Sequence, residues 1–130
     1  MNKKKILVID DEKDFTKLVK LNLEQTGDYE VMIENEGTSA LNTIRQFKPD
    51  LILLDIVMPD ANGGEIAQEI RFDEGLKSIP VVFLTAIVTK EEVVSQGGKV
   101  GGRSFLSKPV TKEQLIECIQ KNLGESKKYE

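Results

Sequence analysis

Three short runs of consecutive apolar residues constrain the fold of this chain more than any other feature. They span residues 6–9, 51–54 and 81–84, and none of them contains a polar residue. Continuous apolar runs of this length are typical of strands that are buried on both faces of a parallel sheet, whereas half-exposed strands alternate apolar and polar residues. The chain is therefore expected to contain a sheet whose central strands are covered by helices on both sides.

Two weaker runs, residues 29–33 and 104–107, are shorter or more polar, and we predict that they form the edge strands. Helical stripes of apolar residues lie between the strands. They are formed by Phe15, Leu18, Val19 and Leu23; by Ala40, Leu41, Ile44 and Phe47; by Ile66, Ala67 and Ile70; and by Leu115, Ile116, Ile119 and Leu123. This alternation predicts an α/β fold with a doubly wound, five-stranded parallel sheet of the flavodoxin-like (βα)5 type, in strand order 2-1-3-4-5.

Two motifs resemble capping boxes and therefore predict helix starts. They are Thr111-x-x-Gln114 and Thr89-x-x-Glu92. The second of these helices soon meets two glycine pairs, at residues 97–98 and 101–102. Glycine disfavours a helix interior by up to about 1 kcal/mol relative to alanine and favours helix ends. We therefore predict a helix of about two turns that ends near Gln96, and then an irregular glycine-rich loop into the fifth strand.

The composition excludes several classes of function. The chain has 18 basic and 22 acidic side chains, a formal net charge of -4, and its basic runs at residues 3–5 and 127–128 are short and terminal, so we expect no direct binding of nucleic acid. It has no histidine and a single cysteine, Cys118. The usual zinc sites and the Ser-His or Cys-His catalytic pairs are therefore excluded, and the chain cannot be a histidine-bearing phosphotransfer partner.

The length of 130 residues fits one domain. We expect this domain to span residues 1–124 and to be followed by a polar tail at residues 125–130. The apolar run at residues 6–9 is too short for the core of a signal peptide or for a membrane span, so we expect a cytoplasmic protein with no membrane contact.

Chemically complementary side chains stand where the predicted strands end. Asp10 and Asp11 follow the first strand, Asp55 the third, Thr85 the fourth and Lys108 the fifth. Ligands of open α/β sheets bind beyond the carboxyl ends of the strands, near the point where the strand order reverses. Three carboxylates in one partly desolvated site repel each other unless a hard cation balances them, and Mg²⁺ fits best. Such a site favours a phosphoryl group, which Lys108 and Thr85 could contact.

Longer motifs around these residues are similar to those of a known family. They are residues 6–12 (ILVIDDE), 49–63 (PDLILLDIVMPDANG), 79–86 (IPVVFLTA) and 105–109 (FLSKP). In this order and spacing, from Lys5 to about Leu123, the chain resembles the response regulator receiver domains of two-component signalling. The resemblance implies a signalling phosphoacceptor rather than an enzyme with a separate substrate.

The resemblance also implies roles for individual residues. Asp55 would take the phosphoryl group from a phosphohistidine on a sensor histidine kinase or a histidine phosphotransfer protein. Asp10, Asp11 and Asp55, with the backbone carbonyl of Val57, would hold Mg²⁺.

The resemblance further implies which residues respond to phosphorylation. Thr85 and Lys108 would contact the phosphoryl group, and Phe105 would change rotamer with Thr85 on activation. The bond between Lys108 and Pro109 would be cis. The output would be a conformational change that is read by a downstream protein or by a homodimer.

Several alternatives remain open from the sequence. Aspartyl-nucleophile phosphatases and mutases of the haloacid dehalogenase type carry a second acid two residues after the nucleophile, where this chain has Val57. A flavin-binding module needs a Ser/Thr/Gly-rich phosphate loop after the first strand, where Asp10, Asp11 and Glu12 would repel a phosphate. A degenerate receiver would lack site residues that are present here. A receiver excised from a longer regulator or hybrid kinase also remains open.

Overall fold

The computed structural model describes residues 3–86, 99–100 and 103–124. Its strands are β1 (Lys4–Ile9), β2 (Tyr29–Glu34), β3 (Leu51–Asp55), β4 (Val81–Thr85), β5 (Lys99–Val100) and β6 (Arg103–Ser107). Its helices are α1 (Lys13–Glu24), α2 (Ala40–Phe47), α3 (Gly63–Phe72) and α4 (Lys112–Asn122), and a 3-10 turn over Gly37–Ser39 precedes α2. Within this part of the chain, no helix has the length and apolarity that crossing a membrane requires.

The parallel strands lie in the predicted order, with β6 in the place of the predicted fifth strand. The complete order is β2-β1-β3-β4-β6-β5, and all neighbouring pairs are parallel except β5 and β6. The prediction that the fifth parallel strand is an edge is wrong, because Lys99 and Val100 pair antiparallel with the start of β6. The open backbone groups of an edge strand accept such a partner readily.

The pairing of β5 also corrects part of the predicted glycine-rich loop, because residues 99–100 are extended and hydrogen-bonded rather than irregular. The other residues of that loop, 97–98 and 101–102, lie outside the described residues. The helix predicted from Thr89 to near Gln96 lies outside them as well, and so does the predicted polar tail.

Side chains of the central strands alternate between two apolar layers. Ile6 and Val8 of β1 face the layer that contains α1 and α4, whereas Leu7 and Ile9 face the layer that contains α2 and α3. Every residue of the runs 6–9 and 51–54 is 0% exposed. The prediction that continuous apolar runs mark strands buried on both faces is therefore confirmed for these two runs, whereas in the run 81–84 Val81 is only half-buried.

The apolar face of α1 differs from the prediction at one position. Leu18 was expected to face the core, but it is 52% exposed, and Thr16 is buried instead. Each residue turns a helix by about 100°, so Leu18 lies about a third of a turn from the line through Val19 and Leu23. Thr16 is closer to that line, and its hydroxyl donates to the carbonyl oxygen of Lys13 at 3.0 Å.

Among the helices of the described residues, α3 and α4 begin with side-chain caps. The predicted capping box of α4 is confirmed, with the Thr111 hydroxyl accepting from the backbone N–H of Gln114 and the Gln114 side chain accepting from Thr111. The cap of α3 was not predicted: the Asn62 side chain accepts from the backbone N–H groups of Gly64 and Glu65. Both caps satisfy donors that the first helical turn leaves without partners.

Cys118 should react slowly with alkylating reagents in the folded protein. Burial raises the pKa of its thiol to about 11, and the Asn122 amide donates to its Sγ at 3.4 Å. Because the thiolate is the reacting form, alkylation by iodoacetamide at pH 8 should be at least about tenfold slower than in the urea-unfolded chain. Mass spectrometry of quenched time points measures both rates. Equal rates in the two states would contradict a buried, inert thiol.

Candidate functional site

The five residues predicted to form a site all lie at one edge of the sheet. Asp55 and Thr85 end β3 and β4, Asp10 and Asp11 follow β1, and Lys108 follows β6. One carboxylate oxygen from each of the three aspartates lies within 4.8 Å of the other two. The backbone N–H of Lys108 donates to the carbonyl oxygen of Thr85 at 2.8 Å, which joins the last two strand ends.

The topology of the sheet explains this convergence. Strand β1 pairs with β2 on one side and with β3 on the other, so the order of the strands reverses beside it. The connections that leave β1 and β3 run to opposite faces, which opens a crevice above their carboxyl ends. Asp10 and Asp55 stand at this crevice.

Asp55 is a strongly perturbed carboxylate. Its residue is only 6% exposed. Burial and the neighbouring Asp10 carboxylate raise the pKa of Asp55 to about 6, although the Lys108 ammonium and the backbone N–H of Val57, 3.3 Å from Oδ1, act in the opposite direction. At neutral pH the group is ionised but held near another negative charge. An added positive charge would therefore stabilise it.

Asp10 and Lys108 form a buried ion pair beside it. Asp10 is 0% exposed, and its Oδ2 lies 2.7 Å from Nζ of Lys108. Burial raises the pKa of Asp10, against the effect of the Lys108 ammonium and of the Glu12 backbone N–H. Burial acts to lower the pKa of Lys108, but the carboxylates of Asp10 and Glu12 outweigh it and raise that pKa. Lys108 is thus a permanent positive charge, with its Nζ 3.9 Å from Oδ2 of Asp55.

The three carboxylates have the chemistry of a Mg²⁺ site. Carboxylate oxygens are the ligands that this hard cation prefers, and it commonly takes one or two of them together with water. Oδ2 of Asp10 is buried, and its partner is the Lys108 ammonium at 2.7 Å. A cation beside the three carboxylates would relieve the repulsion between Asp10 and Asp55, so the residues fit the metal.

In the metal-free protein, the Asp55→Asn substitution should raise stability at neutral pH. The raised pKa of Asp55 means that the folded protein binds a proton there between about pH 4 and pH 6, where the unfolded chain does not. Stability from this group therefore falls as pH rises through about 6, and removing the charge should add about 1–3 kcal/mol at pH 8.

Urea unfolding in EDTA at pH 8 and at pH 5 measures this effect. The difference between variant and wild type should be smaller at pH 5, where Asp55 is largely protonated in the folded state. A variant that is no more stable than the wild type at pH 8 would contradict the repulsion that the geometry indicates.

Three neighbours of the site were not predicted as site residues. The Glu12 carboxylate lies 2.7 Å from Nζ of Lys108, and the Phe15 ring centroid lies 4.6 Å from the same atom. The Asn35 amide donates to the carbonyl oxygen of Asp10 at 2.8 Å and to the Thr16 hydroxyl at 3.1 Å. The available signals were weak: Glu12 directly follows the acid pair, and Asn35 directly follows β2.

The structure also describes the other residues to which the resemblance assigns a role, Phe105, Val57 and Pro109. Phe105 lies on β6, half buried, with its ring centroid 5.3 Å from that of Phe83 and the ring planes at 30°. Val57 is 62% exposed and lies directly beyond β3 and Ile56. The bond between Lys108 and Pro109 is cis, as the resemblance implied.

Comparisons with known proteins show the family of this chain. The chain matches the family described as the response regulator receiver domain over residues 6–120. It is 35% identical over 125 residues to the polar-differentiation response regulator DivK of Brucella ovis, covering 95% of this chain and 98% of that protein.

Solved structures of response regulators have a similar fold. The crystallised chemotaxis protein CheY4 of Vibrio cholerae superposes with a TM-score of 0.78 at 29% identity, covering 93% of this chain and 99% of that one. A two-component response regulator from Clostridium difficile gives a TM-score of 0.76 at 29% identity, with coverages of 94% and 97%. The family match, the relative and the site together show that this chain belongs to the response regulator receiver domains.

Proposed function

We propose that this receiver domain accepts a phosphoryl group on Asp55 from the phosphohistidine of a sensor histidine kinase or a histidine phosphotransfer protein. One observation carries the proposal: Asp55 stands in a cluster of three carboxylates within 4.8 Å, with an ammonium 3.9 Å away. In the transfer, a carboxylate oxygen of Asp55 forms a bond to phosphorus while the phosphorus–nitrogen bond of the donor breaks. The electron pair of that bond returns to the imidazole.

Asp10, Asp11 and Asp55 would hold Mg²⁺, and the family resemblance adds the backbone carbonyl of Val57 as a further ligand. The metal would neutralise the carboxylates and the charge on the transferring group. Lys108 would contribute a second positive charge to the phosphoryl oxygens, and the Thr85 hydroxyl a hydrogen bond. Because the three carboxylates already stand together before transfer, they would need little reorganisation to hold the metal.

The output would be a conformational change that begins at Thr85 and Phe105. Thr85 ends β4, and Phe105 lies opposite Phe83 in the register of β4 and β6, so a shift at the strand end can reach the aromatic pair. A downstream protein or a homodimer would read this change. The net charge of -4 argues against direct DNA binding.

We propose a phosphoacceptor rather than a phosphatase or mutase. Val57 stands two residues beyond Asp55, and its side chain has no proton to donate to a leaving group. The chemistry of the chain would then be limited to its own phosphorylation and dephosphorylation. The receiver domain would occupy residues 1–124, with residues 125–130 as a polar tail, and the protein would act in the cytoplasm.

Incubation of the purified chain with acetyl phosphate and Mg²⁺ should add a single phosphoryl group, which intact-mass spectrometry detects. Chelation of the metal with EDTA should slow the modification by at least about tenfold, because charge on the transferring group would lose its main partner. A folded protein that remains unmodified would contradict the proposed function. Modification at the same rate in EDTA would contradict the role of the metal.

A further inference from the structure

Lys108 is closer to two other carboxylates than to the one that would carry the phosphoryl group. Its Nζ lies 2.7 Å from Asp10 and 2.7 Å from Glu12, but 3.9 Å from Asp55. The centroid of the Phe15 ring lies 4.6 Å from the same Nζ. At rest, the ammonium of Lys108 is therefore paired with Asp10 and Glu12 rather than with Asp55.

The Glu12 side chain is available to bind Lys108 because α1 does not use it as a helix cap. Glu12 occupies the N-cap position of α1, where a polar side chain often accepts from the first turn, but its carboxylate makes no cap hydrogen bond. Instead it accepts from Nζ of Lys108, a residue 96 positions away in the sequence. The Glu12 side chain is 61% exposed, whereas that of Lys108 is 12% exposed.

Glu12 also differs from Asp10 because it is not one of the proposed metal ligands. Asp10 belongs to the proposed metal site, so a bound cation and Lys108 would compete for the same carboxylate. Among the described residues, Glu12 is the remaining carboxylate within 3 Å of Nζ. When the metal binds, the contact with Glu12 therefore becomes the main restraint on Lys108.

We propose that Glu12 is a positioning residue that holds Lys108 away from Asp55 and thereby restrains phosphorylation. The inference rests on the proposed function of Asp55. To contact the phosphoryl group, Lys108 must exchange Glu12 for phosphoryl oxygens. In the phosphorylated protein the ammonium has already left Glu12, so hydrolysis of the acyl phosphate does not require this exchange again.

Glu12→Gln should therefore accelerate phosphorylation by acetyl phosphate about two- to fivefold, the range that loss of a partly exposed ion pair supports. The rate of dephosphorylation, followed after removal of the donor, should not change. Both rates are measured by intact-mass spectrometry at a Mg²⁺ concentration that saturates each variant, so that a change in metal affinity does not contribute. An unchanged phosphorylation rate would overturn the inference.

Three further variants separate positioning of Lys108 from a general effect of charge. Glu12→Asp keeps the charge but is too short to hold the contact, so it should be accelerated like Glu12→Gln. Asp14→Asn removes an exposed acid two residues away and should behave like the wild type. In a Lys108→Ala background, Glu12→Gln should have no effect. Equal acceleration in that background, or by Asp14→Asn, would show that charge alone acts and would overturn the proposal.

Phosphorylation of the wild type distinguishes a failure of the proposed function from a failure of the proposed role of Glu12. If the wild-type chain takes up no phosphoryl group, the proposed function fails. If it is modified on Asp55 and Glu12→Gln reacts at the same rate, only the role of Glu12 fails.

Discussion

The Asp55→Asn variant should carry no detectable phosphoryl group after incubation with acetyl phosphate and Mg²⁺ under conditions that fully modify the wild type. Asparagine keeps the size and shape of the side chain, but its neutral amide is a far weaker nucleophile than a carboxylate. Asp10 cannot substitute easily, because its Oδ2 is buried against Lys108 and its Oδ1 accepts from the backbone N–H of Glu12. Intact-mass spectrometry measures the modified fraction.

Asp28→Asn is the matched control for this experiment. Asp28 is exposed and directly precedes β2, so it lies at the amino edge of the sheet, opposite the site. This variant should be modified as fast as the wild type. A modified species in Asp55→Asn that is as abundant as in the control would place the acceptor elsewhere in the chain.

The Gly63→Ala variant should lose at least about 3 kcal/mol of folding stability. A Cβ atom on Gly63 would lie 2.1 Å from the carbonyl oxygen of Asp55 and 2.8 Å from Cα of Ile56. Both atoms belong to the backbone, so no side-chain rotation can relieve the clash. The backbone N–H of Gly63 also donates to the carbonyl oxygen of Ile56 at 2.9 Å, which holds the start of α3 against the end of β3.

Gly64→Ala tests whether this effect is specific to the close approach. A Cβ at Gly64 would meet only the side-chain oxygen of Asn62, at 3.0 Å, and alanine is favoured over glycine within a helix. Its stability should stay within about 1 kcal/mol of the wild type. Urea unfolding of both variants measures the difference. If Gly63→Ala is as stable as Gly64→Ala, the backbones at this position do not approach as closely as the structure indicates.

The order of the parallel strands could be predicted because the relevant pattern is local. The runs at residues 6–9 and 51–54 contain no polar residue, and burial on both faces is the environment that such a run favours. Once the central strands are identified, the alternation with helices leaves few possible orders. The two-residue segment 99–100 is too short to show such a pattern, and only its backbone pairing with β6 identifies it as a strand.

The location of the candidate site could be predicted for a related reason. Asp10, Asp55, Thr85 and Lys108 each stand at the end of a predicted strand, and the carboxyl ends of parallel strands meet at the same edge. Their convergence needs only the direction and order of the strands. The roles assigned to these residues came from the family resemblance, and they remain predictions that the phosphorylation experiments test.

The continuous runs of apolar residues determined by themselves which segments form the central sheet, and the residues at the strand ends determined where the candidate site lies. Only the tertiary structure decided which atoms touch there. The contact between Glu12 and Lys108 joins residues 96 positions apart, and the approach of Gly63 to Asp55 depends on the path of the intervening loop. Such contacts depend on rotamers and backbone positions that the whole packed core selects, and a local sequence pattern carries no record of them.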